Sequence, residues 1–179
     1  MADYYPSSDE SEQNLISTRR YQIREKIFSL RDNFKIKDED GQPVFIVRSK
    51  LFTLGDKLIL EDMDGNHLIK IRQELLHLLS RFKILSASND QELATVKQKF
   101  TFLRPKFTIT SIYGDFVLDG VDIWAHSFKL FKNDRLVATV SKKFFSWTDS
   151  YGVEISSDDE DHAFILALVI ILDQVIYDN

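Results

Sequence analysis

Apolar and polar residues alternate along most of this chain, and the alternation restarts at regular points. Four twelve-residue stretches align without a gap: DGQPVFIVRSKL from Asp40, DGNHLIKIRQEL from Asp64, NDQELATVKQKF from Asn89 and NDRLVATVSKKF from Asn133. Each opens with Asp or Asn followed by Gly or Asp, side chains that tolerate the positive φ of a tight hairpin turn. An alternating strand follows, so each copy is a turn plus the second arm of a hairpin. Tyr113-Gly114-Asp115 opens a weaker copy, FVLDGVDIW. Turns therefore begin near residues 40, 64, 89, 113 and 133, a spacing of one two-stranded hairpin per unit.

The alternation gives each strand an inner and an outer face. Positions six, eight and twelve of the copies are Phe45/Val47/Leu51, Ile69/Ile71/Leu75, Ala94/Val96/Phe100 and Ala138/Val140/Phe144, all apolar and all assigned to the core. Positions seven, nine and eleven are Ile46/Arg48/Lys50, Lys70/Arg72/Glu74, Thr95/Lys97/Lys99 and Thr139/Ser141/Lys143. All but Ile46 are polar or charged, and they are assigned to solvent. A slip of one residue would invert both sets, so the register is well specified.

The pattern breaks at Ala163–Leu172, AFILALVIIL, ten apolar residues with no turn signal and no period of two. The acidic cluster of Ser156–Asp161 before it suits the N-terminus of a helix, through capping and the helix dipole. A bilayer span needs about 20 apolar residues, so this is too short to be one. An all-apolar helix must be buried on every side, and from Glu160 to Ile176 it would run roughly 25 Å. Hairpins that leave no long edge exposed tend to close, and counting one more hairpin ahead of residue 40 gives about twelve strands. A barrel of that size is hollow unless something fills it. The expected fold is thus mainly β, a closed antiparallel barrel of about twelve strands around a buried hydrophobic C-terminal α-helix.

The segments YQIREKIFSLRDNFKIKDEDG, LGDKLILEDMDGN, LATVKQKFTFLRPKFTI and VATVSKKFFSWTDSYGVEI resemble the LURP-one-related family, from residue 21 to about residue 177. The resemblance implies the tubby C-terminal-like fold, which is this same barrel and helix, and kinship with tubby proteins and phospholipid scramblases. Plant defence-associated proteins and bacterial proteins belong to the family. It implies a fold rather than a particular reaction.

Composition narrows the classes further. The chain has 179 residues, enough for one domain with a sizeable core, and 44% apolar residues, which excludes wholesale disorder. It has no cysteine, so disulfides, thiolate metal sites and cysteine nucleophiles are excluded. Residues 1–14 hold four acids and no base, whereas the remainder carries 24 acids against 23 bases. Residues 1–20 are accordingly expected to be a disordered acidic tail, in which Ser7 and Glu10 form a weak phosphorylation pattern, and residues 21–179 a single barrel domain. The nearly neutral barrel gives no support to a nucleic-acid partner. Without a signal peptide, a myristoylation glycine or a membrane span, the expected location is cytoplasmic, at most peripheral to a membrane.

Catalytic and metal-binding patterns are scarce. His67, His77, His126 and His162 lack metal-ligand spacing, and the six glycines form no phosphate-binding or nucleophile-elbow motif. Asp62, Asp64 and Asn66 imitate the start of a calcium loop, but glycine falls at the fourth position and Gln73 at the twelfth, so a turn explains them better. Asp158, Asp159, Glu160 and Asp161 could hold a cation, yet helix-start chemistry accounts for them without one. Trp124 and Trp147 are assigned to packing. No enzyme activity, cofactor or metal is expected. What remains is surface charge: Arg48, Arg72 and Lys97 recur at position nine, Lys50, Lys99 and Lys143 at position eleven, and Arg104 and Lys106 flank Pro105. These eight bases are the candidate contacts for anionic phospholipid headgroups, phosphoinositides included by kinship with tubby proteins. The alternative is a protein-interaction barrel with an unidentified protein partner, its bases serving only solubility.

Overall fold

A computed structural model describes residues 18–24, 33–49, 56–121, 127–141, 150–156 and 159–177. Its strands are β1 (Arg19–Arg24), β2 (Phe34–Asp38), β3 (Pro43–Ser49), β4 (Asp56–Asp62), β5 (His67–Glu74), β6 (Arg81–Ser86), β7 (Glu92–Lys99), β8 (Lys106–Ser111), β9 (Gly114–Gly120), β10 (Ser127–Lys132), β11 (Arg135–Ser141) and β12 (Ser150–Ile155), followed by helix α1 (His162–Tyr177). Every strand pairs antiparallel with its neighbours in sequence, and β1 closes the barrel on β12 from Arg19↔Ile155 to Arg24↔Ser150. β1 thus takes in Arg19 and Arg20, ahead of the boundary drawn at residue 21.

The repeat sets one end of this barrel. Its second positions, Gly41, Gly65, Asp90 and Asp134, all have positive φ, between 59° and 85°, as the Asx-led turns require. The side chains that fasten two of these turns stand two residues ahead of the copies. Asp38 Oδ1 accepts from the amides of Asp40 and Gln42, and Asp62 Oδ1 accepts in the same way from Asp64 and Asn66. Asn66 Nδ2 also donates to Asp62 Oδ2, so the calcium-loop imitation is a self-satisfied turn. With the turns at 112–113 and 133–134, these make a tight-turn end. The opposite end carries the longer connections, among them 75–80 and 100–105.

Inward rows from all twelve strands form one apolar cluster with the helix, including Val47, Ile69, Ile71, Ala94, Val96, Ala138 and Val140 at the expected positions, with Phe45 packed partly buried beside them. Phe164 through Val175 are all buried, so the helix is surrounded on every side and fills the barrel. It starts at His162 rather than Glu160. Asp161 is the N-cap: its Oδ1 accepts from the Phe164 amide and its carbonyl from the Ile165 amide. Lys132 holds Glu160, Tyr113 donates to Asp161 Oδ2, and the Tyr21 hydroxyl lies 2.7 Å from His162 Nδ1. Those bonds tie the helix entrance to the rim. Burial, and then the Asp161 charge, push the Tyr113 phenol above its ordinary pKa.

Three face assignments need correction, and others lie outside the described residues. Leu75 and Phe100 are exposed, not core, because β5 ends at Glu74 and β7 at Lys99, so position twelve has already left the sheet. Ser141, on the outward row, is buried with its hydroxyl 3.4 Å from that of Ser127. Leu51, Phe144, Trp124 and Trp147 lie outside the described residues, as do Asp158 and His126.

Candidate functional site

Antiparallel register decides which of the eight bases can act together. Arg48 on β3 is bound to Glu61, a buried carboxylate on β4 that also lies 3.0 Å from His67 Nε2. Arg72 on β5 stands half-buried between Asp56 and Lys83 in register. Neither is a freely presented cation. Lys50 and Lys143 lie outside the described residues.

The other four converge on one hairpin. Lys97 and Lys99 are exposed on β7, Lys99 pairs in register with Lys106 on β8, and Arg104 is exposed in the loop between the two strands. Lys106 has Asp119 of β9 at 3.6 Å, whereas Lys97, Lys99 and Arg104 meet no carboxylate among the described residues. Like charges directly opposite each other, as Lys99 and Lys106 are, repel across a ladder. Next door the bases are neutralised: Arg81 pairs with Glu74, and Lys83 bridges Glu92 and Glu74. Hydrogen bonds from Lys83 and then Thr95 hold the Glu92 carboxyl below its usual range, and Glu92 in turn raises Lys83. Among the eight candidate bases, the described ones without a carboxylate partner are thus grouped on the β7–β8 hairpin.

The sequence pattern does not single out the apolar residues beside this charge. In the 75–80 connection Leu76 and Leu78 are fully exposed, and in the 100–105 loop Phe102 is 91% exposed with Phe100 and Leu103 largely so. Ser80 and Gln98 join the two loops: the Gln98 amide donates to the Ser80 carbonyl and the Ser80 amide to Gln98 Oε1. A depression of about 270 Å³ lies between them, lined by Leu79, Lys99, Phe102, Leu103 and Arg104 among others. Phe100 and Phe102 stack edge to face at 5.2 Å, and the Thr101 hydroxyl donates to the Arg104 carbonyl. The available signal was two apolar runs, LLHLL and FTFL, placed where a hairpin connection is ordinarily polar.

Comparison with known proteins agrees with the architecture. A solved Arabidopsis thaliana protein superposes with a TM-score of 0.67 at 26% identity, covering 89% of this chain and 92% of its own. The uncharacterised protein YxjI of Bacillus subtilis is 37% identical over 157 residues, 88% of this chain and 93% of that protein. The LURP-one-related family profile matches residues 19–173. With a profile and a relative both spanning nearly the whole barrel, the chain belongs to the LURP-one-related family.

Proposed function

We propose that this protein is a non-enzymatic module that binds anionic membranes reversibly through the long-loop end of its barrel. The observation that carries this reading is the unpaired charge of Lys97, Lys99 and Arg104, with Lys106 beside them, on one exposed hairpin. A base near an anionic surface contributes about 1 kcal/mol, so three or four together strengthen binding by roughly two to three orders of magnitude. Among the described residues the helix, buried from Phe164 to Val175, occupies the interior where a small molecule would otherwise sit. Resemblance to tubby proteins extends the reading to phosphoinositide headgroups. No helix among the described residues is long and apolar enough to cross a membrane, which suits attachment from outside.

Co-sedimentation with vesicles that contain or lack phosphoinositide, at low and high salt, tests it. Binding should need anionic lipid, fall as salt shortens the screening length from about 10 Å, and vanish in a Lys97→Glu/Lys99→Glu/Arg104→Glu variant. A folded wild-type protein that ignores anionic vesicles at low salt would overturn the membrane role and leave a protein-interaction barrel.

A further inference from the structure

Four large apolar side chains, Leu76, Leu78, Phe102 and Leu103, project into solvent from two adjacent loops at the same barrel end as the unpaired bases. They do nothing for the core. Leu76 has a left-handed backbone, φ 69°, uncommon for a side chain of its kind. Among the described residues of the tight-turn end the exposed apolar ones are single, Met63, Ile112 and Leu136, each less exposed than these four.

The chemistry is ordered along the barrel axis. Within these two hairpins the apolar residues stand at the loop tips and the bases nearer the strands: Lys99 directly precedes Phe100, Arg104 directly follows Leu103, and Lys97 and Lys106 sit on the strands behind. A membrane surface has the complementary order, with anionic headgroups outside and hydrocarbon beneath. The two tips come from neighbouring hairpins, so strand spacing sets them roughly 10 Å apart, close enough to enter one patch of bilayer together.

We infer that Leu76 and Leu78 of one loop and Phe102 and Leu103 of the next insert below the headgroups of an anionic bilayer, holding the barrel end-on with its tight-turn end facing away. The inference rests on the membrane role proposed above and adds a mode of attachment, insertion rather than surface attraction alone. Attraction alone would be abolished by salt. Insertion leaves a remainder that salt does not remove.

The absence of cysteine makes the test direct, because one introduced cysteine is a unique labelling point. Phe102→Cys and Ile112→Cys, each carrying an environment-sensitive nitrobenzoxadiazole label, are mixed with vesicles of phosphatidylcholine and phosphatidylserine, with and without quenchers in the acyl chains. The label at 102 should shift to the blue and be quenched, and the label at 112 should not change. In parallel, Leu76→Ser/Leu78→Ser should weaken sedimentation by about tenfold or more while leaving the thermal melt in place, since neither side chain is packed. Wild-type binding with an unquenched label at 102, or with Leu76→Ser/Leu78→Ser sedimenting like wild type, would overturn insertion and keep surface attachment. Wild type that sediments with neither vesicle would overturn both.

Discussion

Replacing Phe164 with alanine probes the junction between plug and barrel. The ring is 1% exposed, stands 4.9 Å from the Tyr113 ring and 5.6 Å from the Phe116 ring, and belongs to the first turn of the helix, capped by Asp161. Truncating a buried Phe to Ala loses about 3–5 kcal/mol, because transfer and cavity terms add. The void would lie between a helix and a closed sheet, neither of which collapses easily onto it, so the loss should stay within that range. In a domain of this size each kcal/mol lowers Tm by about 2–4 °C, so the melt should fall by roughly 6–20 °C. Urea titration followed by circular dichroism should show the midpoint move by about 1.5–2.5 M if the slope is near 2 kcal/mol/M and unchanged. A double-mutant cycle with Phe116→Leu should return a coupling of about 0.5–1.5 kcal/mol from the ring pair. A loss below about 1 kcal/mol at constant slope would refute the reasoning, by showing that the ring is not enclosed.

Leu168→Asp would place an unpaired charge in the middle of the buried helix and should prevent folding; a soluble variant that melts cooperatively would show that the helix is not enclosed. Gly120→Ala puts a methyl group 3.0 Å from the Pro105 carbonyl oxygen and 3.1 Å from Pro105 Cδ, where the Gly120 amide now donates to that carbonyl. It should destabilise by about 1–3 kcal/mol and be visible as a lower Tm. Asp62 and Glu92 both have carboxyl pKa values below their ordinary range, Asp62 chiefly through Asn66 and Glu92 chiefly through Lys83. Their stabilising contribution is therefore fully present above the usual carboxylate range and is lost as pH falls through the lowered values. Carboxyl NMR titration should find both late to protonate, and Lys83→Met should bring Glu92 back toward the ordinary value; two unshifted curves would contradict the hydrogen bonds described.

Much of the barrel is visible in the sequence because its physics is local. An Asx-Gly or Asx-Asp pair states a turn by itself, and two-residue alternation states the facing of Ile69, Ile71, Ala94 and Val96 without knowledge of any partner strand. The acidic cluster before AFILALVIIL likewise announces the helix start that Asp161 caps. What fails is what depends on where a strand leaves the sheet. Leu75 and Phe100 continue the apolar rhythm perfectly, yet each belongs to a loop, and nothing in the alternation marks the last ladder bond. The grouping of the candidate bases depends on the same kind of information. Position nine of the repeat treats Arg48 and Lys97 alike, but Arg48 meets Glu61 from β4, whereas Lys97 faces Arg81 and Thr108. That difference lies in cross-strand register, which no single strand contains.

The plug follows all twelve strands in chain order, and the seam of the barrel joins its first strand to its twelfth, where Arg19 meets Ile155. The sheet can therefore neither close before its twelfth strand is made nor dry its inner face before the helix that follows is available to fill it. Folding through such distant contacts is slow and leaves apolar rows exposed meanwhile. A chain truncated ahead of the helix should thus aggregate rather than form a smaller barrel.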